Sequence, residues 1–316
     1  MIDPTKAVAA TPVPGWDAAL RTGGAERRPA ADAQRPASAD AGAPAARMGV
    51  GSWEPMWLGD AERAVYASLH RASGAPTGTG VVFAAPLFHE QPRSRRLLAE
   101  VASALASLGL ASIRFDYHGT GDSGGDGEAL DFASIATDLD LAVAGLRREC
   151  NVSRIVVLAW RGAALPLMHW LEAGARPDLA VMWEPILDGA EWMRRLEQAD
   201  ATERASPHRY RVQTAEGIPG DSQLMGVPVS RRLREEITRT RVTRGSDPGG
   251  PRRWAAVRDA GAGLLPGVDP VFDRVFDLPG ELPAFDGGTQ MDAGLFVTPQ
   301  FKQVTDVIAH AIREGV

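Results

Sequence analysis

The chain has almost nothing with which to staple itself. Of its 316 residues only Cys150 is a cysteine, so no internal disulfide and no cysteine-rich zinc site can form. A lone thiol fits a reducing compartment, and a cytoplasmic location is expected. Long apolar runs are missing too. No stretch approaches the roughly 20 residues that a membrane-spanning helix needs, and the amino terminus lacks the basic region and apolar core of a secretory signal. No membrane span is expected. Positive charge is in deficit, with a formal net charge of −6, so no overall basic field exists to hold nucleic acid or an anionic lipid surface. The sequence also lacks a glycine loop with lysine for nucleotide phosphates and a paired-histidine helix for zinc. Neither cofactor nor metal is expected.

What is present is a core-forming sequence, 44% hydrophobic. Residues 1 to 50 stand apart: rich in Ala, Pro, Arg and Asp without an apolar period, they read as a disordered arm. Such a segment could tether a protein partner. Two extended segments, Glu54 to Asp60 and Arg63 to His70, follow around a Gly-Asp turn and predict a β-hairpin. From Gly80 onward, short apolar strands (Val81 to Ala85, Ser112 to Phe115, Ile155 to Ala159, Ala180 to Trp183) alternate with amphipathic helices (Ser94 to Leu108, Phe132 to Arg148, Gly162 to Ala173). This alternation predicts an α/β fold with a mostly parallel, doubly wound sheet. The rhythm breaks after Pro185 for about seventy residues, with helix-like segments at Ala190 to Ala199 and Ser230 to Thr240, which read as an inserted helical cap. It resumes at Arg253 to Arg258 and Arg274 to Leu278 and closes with a helix from Thr298 to Glu314. The expected organisation is an arm (1–50), a core (51–185 and 251–316) and a cap (186–250).

In a doubly wound sheet the ligand site lies at the carboxyl ends of the strands. That rule gathers His89 and Glu90, Asp116 to Ser123, Trp160 and Arg161, and Glu184 and Pro185 around one crevice. The segment from Phe115 to Ser123 combines a strand-end aspartate with two glycines. It resembles the loop after the fourth strand of α/β hydrolases, where the equivalents of Asp116 and Ser123 brace the loop. His118 is a candidate acid or base, against the plainer reading of a polar loop residue. After Ile155 to Leu158, where an α/β hydrolase carries Gly-x-Ser-x-Gly on a strained strand-to-helix bend, this chain reads Ala159-Trp160-Arg161-Gly162-Ala163. Arginine stays protonated and has no lone pair to offer, so it cannot attack a carbonyl. No histidine stands in the loop Gln290 to Val297 before the last helix, and His310 lies inside that helix as a surface or packing residue. Asp259 could supply an acid but would have no base to orient. Ser94 is read as an N-cap, and Glu90 either as a chemical partner of Arg161 or as half of a structural salt bridge.

Three blocks carry a resemblance to one family. Pro86-Leu87-Phe88-His89-Glu90 with Ser94-Arg95-Arg96, the loop Asp116 to Ser123, and the turn Trp160-Arg161-Gly162-Ala163 resemble the exosortase A system-associated hydrolase 2 proteins, α/β-hydrolase-like chains in which arginine also takes the elbow position. A weaker echo is Leu224 to Ser230. His89, Gln91-Pro92, Ala159 and Ala163 depart from the family's pattern. The resemblance implies the α/β-hydrolase fold and a setting in exopolysaccharide- or exosortase-linked biosynthesis in bacteria.

Two functional expectations follow. In the first, a non-classical enzyme holds an anionic or acyl small-molecule substrate with Arg161, Trp160 and Asp116 while Glu90, His89 or His118 acts as acid or base. In the second, the fold has lost catalysis and its crevice binds a ligand or partner. An ordinary serine hydrolase using Ser94, Ser112 or Ser123 is least supported, since none stands at the elbow.

Overall fold

The computed structural model describes residues 53–73, 75–205, 222–244, 253–259, 271–278 and 299–315. The expected arm and the loop Gln290 to Val297 lie outside the described residues. Eight strands form one sheet: β1 (Glu54–Leu58), β2 (Val65–His70), β3 (Thr79–Ala84), β4 (Ala111–Phe115), β5 (Arg154–Trp160), β6 (Leu179–Trp183), β9 (Arg253–Asp259) and β10 (Arg274–Leu278). Their spatial order is β1-β2-β4-β3-β5-β6-β9-β10. The β1/β2 hairpin and the β2/β4 pair are antiparallel, and every other pair is parallel. The central strands are apolar on both faces because both faces are covered: β3, β5 and β6 are buried almost throughout.

The covering helices are α1 (Glu90–Ser107) and α6 (Pro299–Gly315) on one side, and α2 (Phe132–Cys150) and α3 (Ala164–Glu172) on the other. Local chemistry sets their ends. Asp131 caps α2 by accepting from Ser134 N at 2.7 Å, and Asn151 ends it in the left-handed region that relieves the last carbonyls. The start of α1 corrects the sequence reading. Ser94 is not an N-cap: the helix begins at Glu90, and Ser94 lies within it with Oγ donating to Gln91 O at 2.8 Å. Pro92 sits in the first turn, where a helix needs no N–H from it.

Between β6 and β9 the chain forms α4 (Gly189–Ala205), a two-residue-per-strand hairpin of β7 (Gln223–Leu224) and β8 (Val227–Pro228), and α5 (Arg231–Arg239). Ser230 caps α5 through Leu233 N. Trp192 and Met193 of α4 and Leu233 and Ile237 of α5 join the core.

The strand order itself positions a site. From β3 the chain passes to β4 on one side and later to β5 on the other, so the ends of β3 and β5 flank the switch point where such sheets bind ligands.

Candidate functional site

β3 and β5 are hydrogen-bonded neighbours, with Ala84 paired to Ala159 at their carboxyl ends. The turns that leave them therefore emerge side by side. After β3 the chain bends through Phe88, at φ 57, and His89 occupies the N-cap position of α1. Glu90 then opens the helix. After β5 the chain bends at Arg161, φ 51, into a short 3₁₀ turn and α3. The left-handed conformation costs a side-chain-bearing residue about 1–2 kcal/mol, and something must hold it there.

Three contacts do so. Arg161 Nε donates to both Glu90 carboxylate oxygens at 3.0 Å. The Arg161 carbonyl accepts from Ile186 N at 3.2 Å. Gly162 lies so close to Trp192 that a Cβ built on it would fall 2.2 Å from the indole Cη2. The ion pair is shut away from water, with Glu90 1% and Arg161 6% exposed. Removing two charges from water is costly, and mutual attraction recovers that cost only when geometry is good and hydrogen bonds are made.

The other expected site residues fall into separate groups. Trp160 is fully buried, its ring stacked on Trp183 at 4.1 Å with planes 5° apart, and its Nε1 donates to Glu184 at 3.3 Å. Glu184, at φ 43, makes the corresponding bend after β6. Asp116 serves its own loop: its Oδ2 accepts from Asp122 N at 2.9 Å and Arg95 Nη2 at 2.6 Å, while Ser123 Oγ donates to its carbonyl at 2.6 Å and accepts from Tyr66 N at 2.9 Å. His118 is tied down through its backbone N, which donates to the buried Asp138 at 2.8 Å. Asp138 also takes Arg63 Nη2 at 2.8 Å, and burial raises its pKa above the ordinary carboxylate range. Gln91 Nε2, donating to Thr120 Oγ1 at 3.0 Å, joins the start of α1 to this loop. His310 is exposed on α6 and sits edge-on to Phe276. Glu90 and Arg161 are thus brought together, whereas Asp116 and His118 belong to a second, loop-bracing network.

Sequence reasoning missed a further polar group beneath α1. His70 on β2 is fully buried and its Nε2 accepts from Arg114 Nε on β4 at 3.2 Å. Burial, with the Arg114 charge beside it, lowers the His70 pKa to about 3, and burial lowers that of Arg114 to about 10. The period-two alternation of Ser112 and Arg114 in an otherwise apolar strand was the available signal.

No family model matches the chain, and no curated protein does. Solved structures do. The DcsB complex with its substrate analogue superposes with a TM-score of 0.52 at 14% identity, over 84% of this chain and 99% of that one. The chain has the α/β-hydrolase fold. Est1E from Butyrivibrio proteoclasticus aligns with a TM-score of 0.51 at 13% identity, over 83% of this chain and 98% of that one. Its complex with ferulic acid gives 0.51 at 15% identity, over 82% and 98%. At such identities the likeness concerns the fold alone. Among the described residues no helix is long and apolar enough to cross a membrane.

Proposed function

We propose that this protein is a hydrolase-fold chain that has abandoned serine-type acyl transfer and works by binding, its crevice holding a ligand or partner without turning it over. The carrying observation is the buried pair itself. At the bend where the fold presents a nucleophile, Arg161 is locked at φ 51 with Nε on both oxygens of Glu90. A guanidinium cannot attack a carbonyl, and a carboxylate committed to it accepts a proton only by giving up its partner. Of the groups that suggested acid-base work, Glu90 is engaged by Arg161 and His118 is anchored through its backbone N. The resemblance to exosortase-associated hydrolase-like proteins, which share the arginine, supports a role in biosynthesis linked to exopolysaccharide or protein sorting, with the segment before residue 51 available to a protein partner and the stretch between β6 and β9 as a cap over the crevice.

A second reading is favoured by the position of the pair at the switch point of the sheet. Opening of the Arg161/Glu90 pair by an anionic or acyl small molecule would free Arg161, with Trp160 and Asp116, to hold it and Glu90, His89 or His118 to move a proton. One experiment separates the readings. The purified protein is treated with a fluorophosphonate probe and a panel of neutral and anionic esters. The binding reading expects no covalent label and no turnover, and no esterase activity gained by Arg161→Ser. Turnover of an anionic ester that disappears in Glu90→Gln would establish the enzyme instead, and a labelled serine would sink both readings.

A further inference from the structure

A second arginine, Arg114, lies half-buried under α1, away from the elbow, with the opposite arrangement of partners. Alternation puts Tyr66, Ser68 and His70 of β2 on one face of the sheet together with Ser112 and Arg114 of β4, and the register sets Ser68 opposite Arg114 and His70 opposite Ser112. α1 crosses this face but does not fill it. A cavity of about 70 Å³ remains, walled by apolar Phe83, Leu98 and Phe115 and by polar Tyr66, Ser68 and Arg114, with Arg95, Asp116 and Asp122 beside them.

The charges around it are unevenly matched. Asp116 and Asp122 are both taken by Arg95, at 2.6 and 3.4 Å. Arg114 makes no salt bridge among the described residues, although the nearby Asp116 charge acts on it. Its one hydrogen bond goes from Nε to His70, leaving its terminal nitrogens without a protein partner. Because arginine only donates, His70 must present a lone pair at Nε2 and is therefore neutral. Tyr66 and Ser68, which line the same space, also have no side-chain hydrogen bond from their hydroxyls among the described residues. A partly desolvated guanidinium with unused donors is stabilised by an anion within its reach. With roughly 10–15 Å³ of such volume per water-sized body, the space takes a group of about five heavy atoms.

We propose that this cavity binds a small oxyanion group, phosphate or carboxylate, with Arg114 as its charged donor and the Ser68 and Tyr66 hydroxyls as neutral donors. The fork of the guanidinium suits both chemistries. The site stands on residues separate from the Arg161/Glu90 pair and does not depend on how that pair is read.

The test is calorimetric titration of the full chain with inorganic phosphate and, separately, with acetate. Saturable one-to-one binding is expected, and the tighter of the two anions identifies the group the site was built for. Arg114→Gln, which keeps a donor for His70, should weaken binding about 10- to 100-fold, the worth of a charge-assisted hydrogen bond. Ser68→Ala and Tyr66→Phe should each weaken it about 2- to 10-fold. Circular dichroism checks that each variant is folded, and if Arg114→Gln is not, the two hydroxyl variants carry the test. Failure of both anions to bind at tens of millimolar overturns the proposal, as does affinity unchanged across the folded variants.

Discussion

Arg161 and Arg114 are carried by strands that flank β3 on either side, and the sheet treats them in contrary ways. Arg161 receives a carboxylate from the turn beside it, is held on both oxygens and is almost wholly excluded from water. Arg114, half-buried, receives a neutral imidazole and borders the cavity under α1. Burial alone does not tell what a charged side chain is for; the account of its partners does. At the bend after β5 the charge is matched by a carboxylate. One strand beyond β3, the charge is left with donors to spare.

The largest effect should come from breaking the closed member of this contrast. Glu90→Gln takes from buried Arg161 the carboxylate that meets its Nε, and urea denaturation should show a loss of about 3–5 kcal/mol. The double variant Glu90→Met with Arg161→Met removes both charges and should recover most of that loss. A single variant as stable as the parent would mean that water already reaches the pair. Next in size is Gly162→Ala, whose new Cβ meets the buried Trp192 ring of α4. Overpacking of this kind costs about 1–3 kcal/mol, to be read from the thermal midpoint. No shift would show that α4 gives way easily and is a poor support for the bend.

The open member yields the smallest effect at neutral pH and a distinctive one in acid. The His70 pKa is lowered from 6.5 to about 3, first by burial and then by Arg114. Between those values the unfolded chain takes up a proton that the folded chain refuses. The stability contributed by neutral His70 is therefore complete above about pH 6.5 and drains away as pH falls toward 3. In His70→Gln, which can still accept from Arg114, urea midpoints measured between neutral and mildly acidic pH should fall less steeply than in the parent. Parallel slopes would remove His70 as a cause of acid sensitivity.

Much of the architecture was legible because apolar runs such as Ile155 to Leu158 and Ala180 to Trp183 belong only in a sheet covered on both faces. The bend after β5 was legible for a related reason: an apolar strand, small residues and a helix leave few ways to turn. The pairing of Glu90 with Arg161 was readable only as one of two outcomes, since it depends on β3 and β5 being neighbours, a fact of strand order and not of spacing along the chain. His70 and Arg114 escaped for the same cause. They are 44 residues apart in sequence, and only the antiparallel register of β2 on β4 sets them together. The start of α1 was misjudged because serine favours N-cap positions, whereas Ser94 lies inside the helix and bonds back to Gln91 O.

The stacked indoles of Trp160 and Trp183 have a consequence in the optical domain. Two rings 4.1 Å apart and within 5° of parallel share their electronic transitions, so light sees them as one coupled chromophore with its own circular dichroism. Because Trp160 immediately precedes Arg161, the protein carries beside its central charge pair a built-in signal that any rearrangement of that bend would perturb, with no label added.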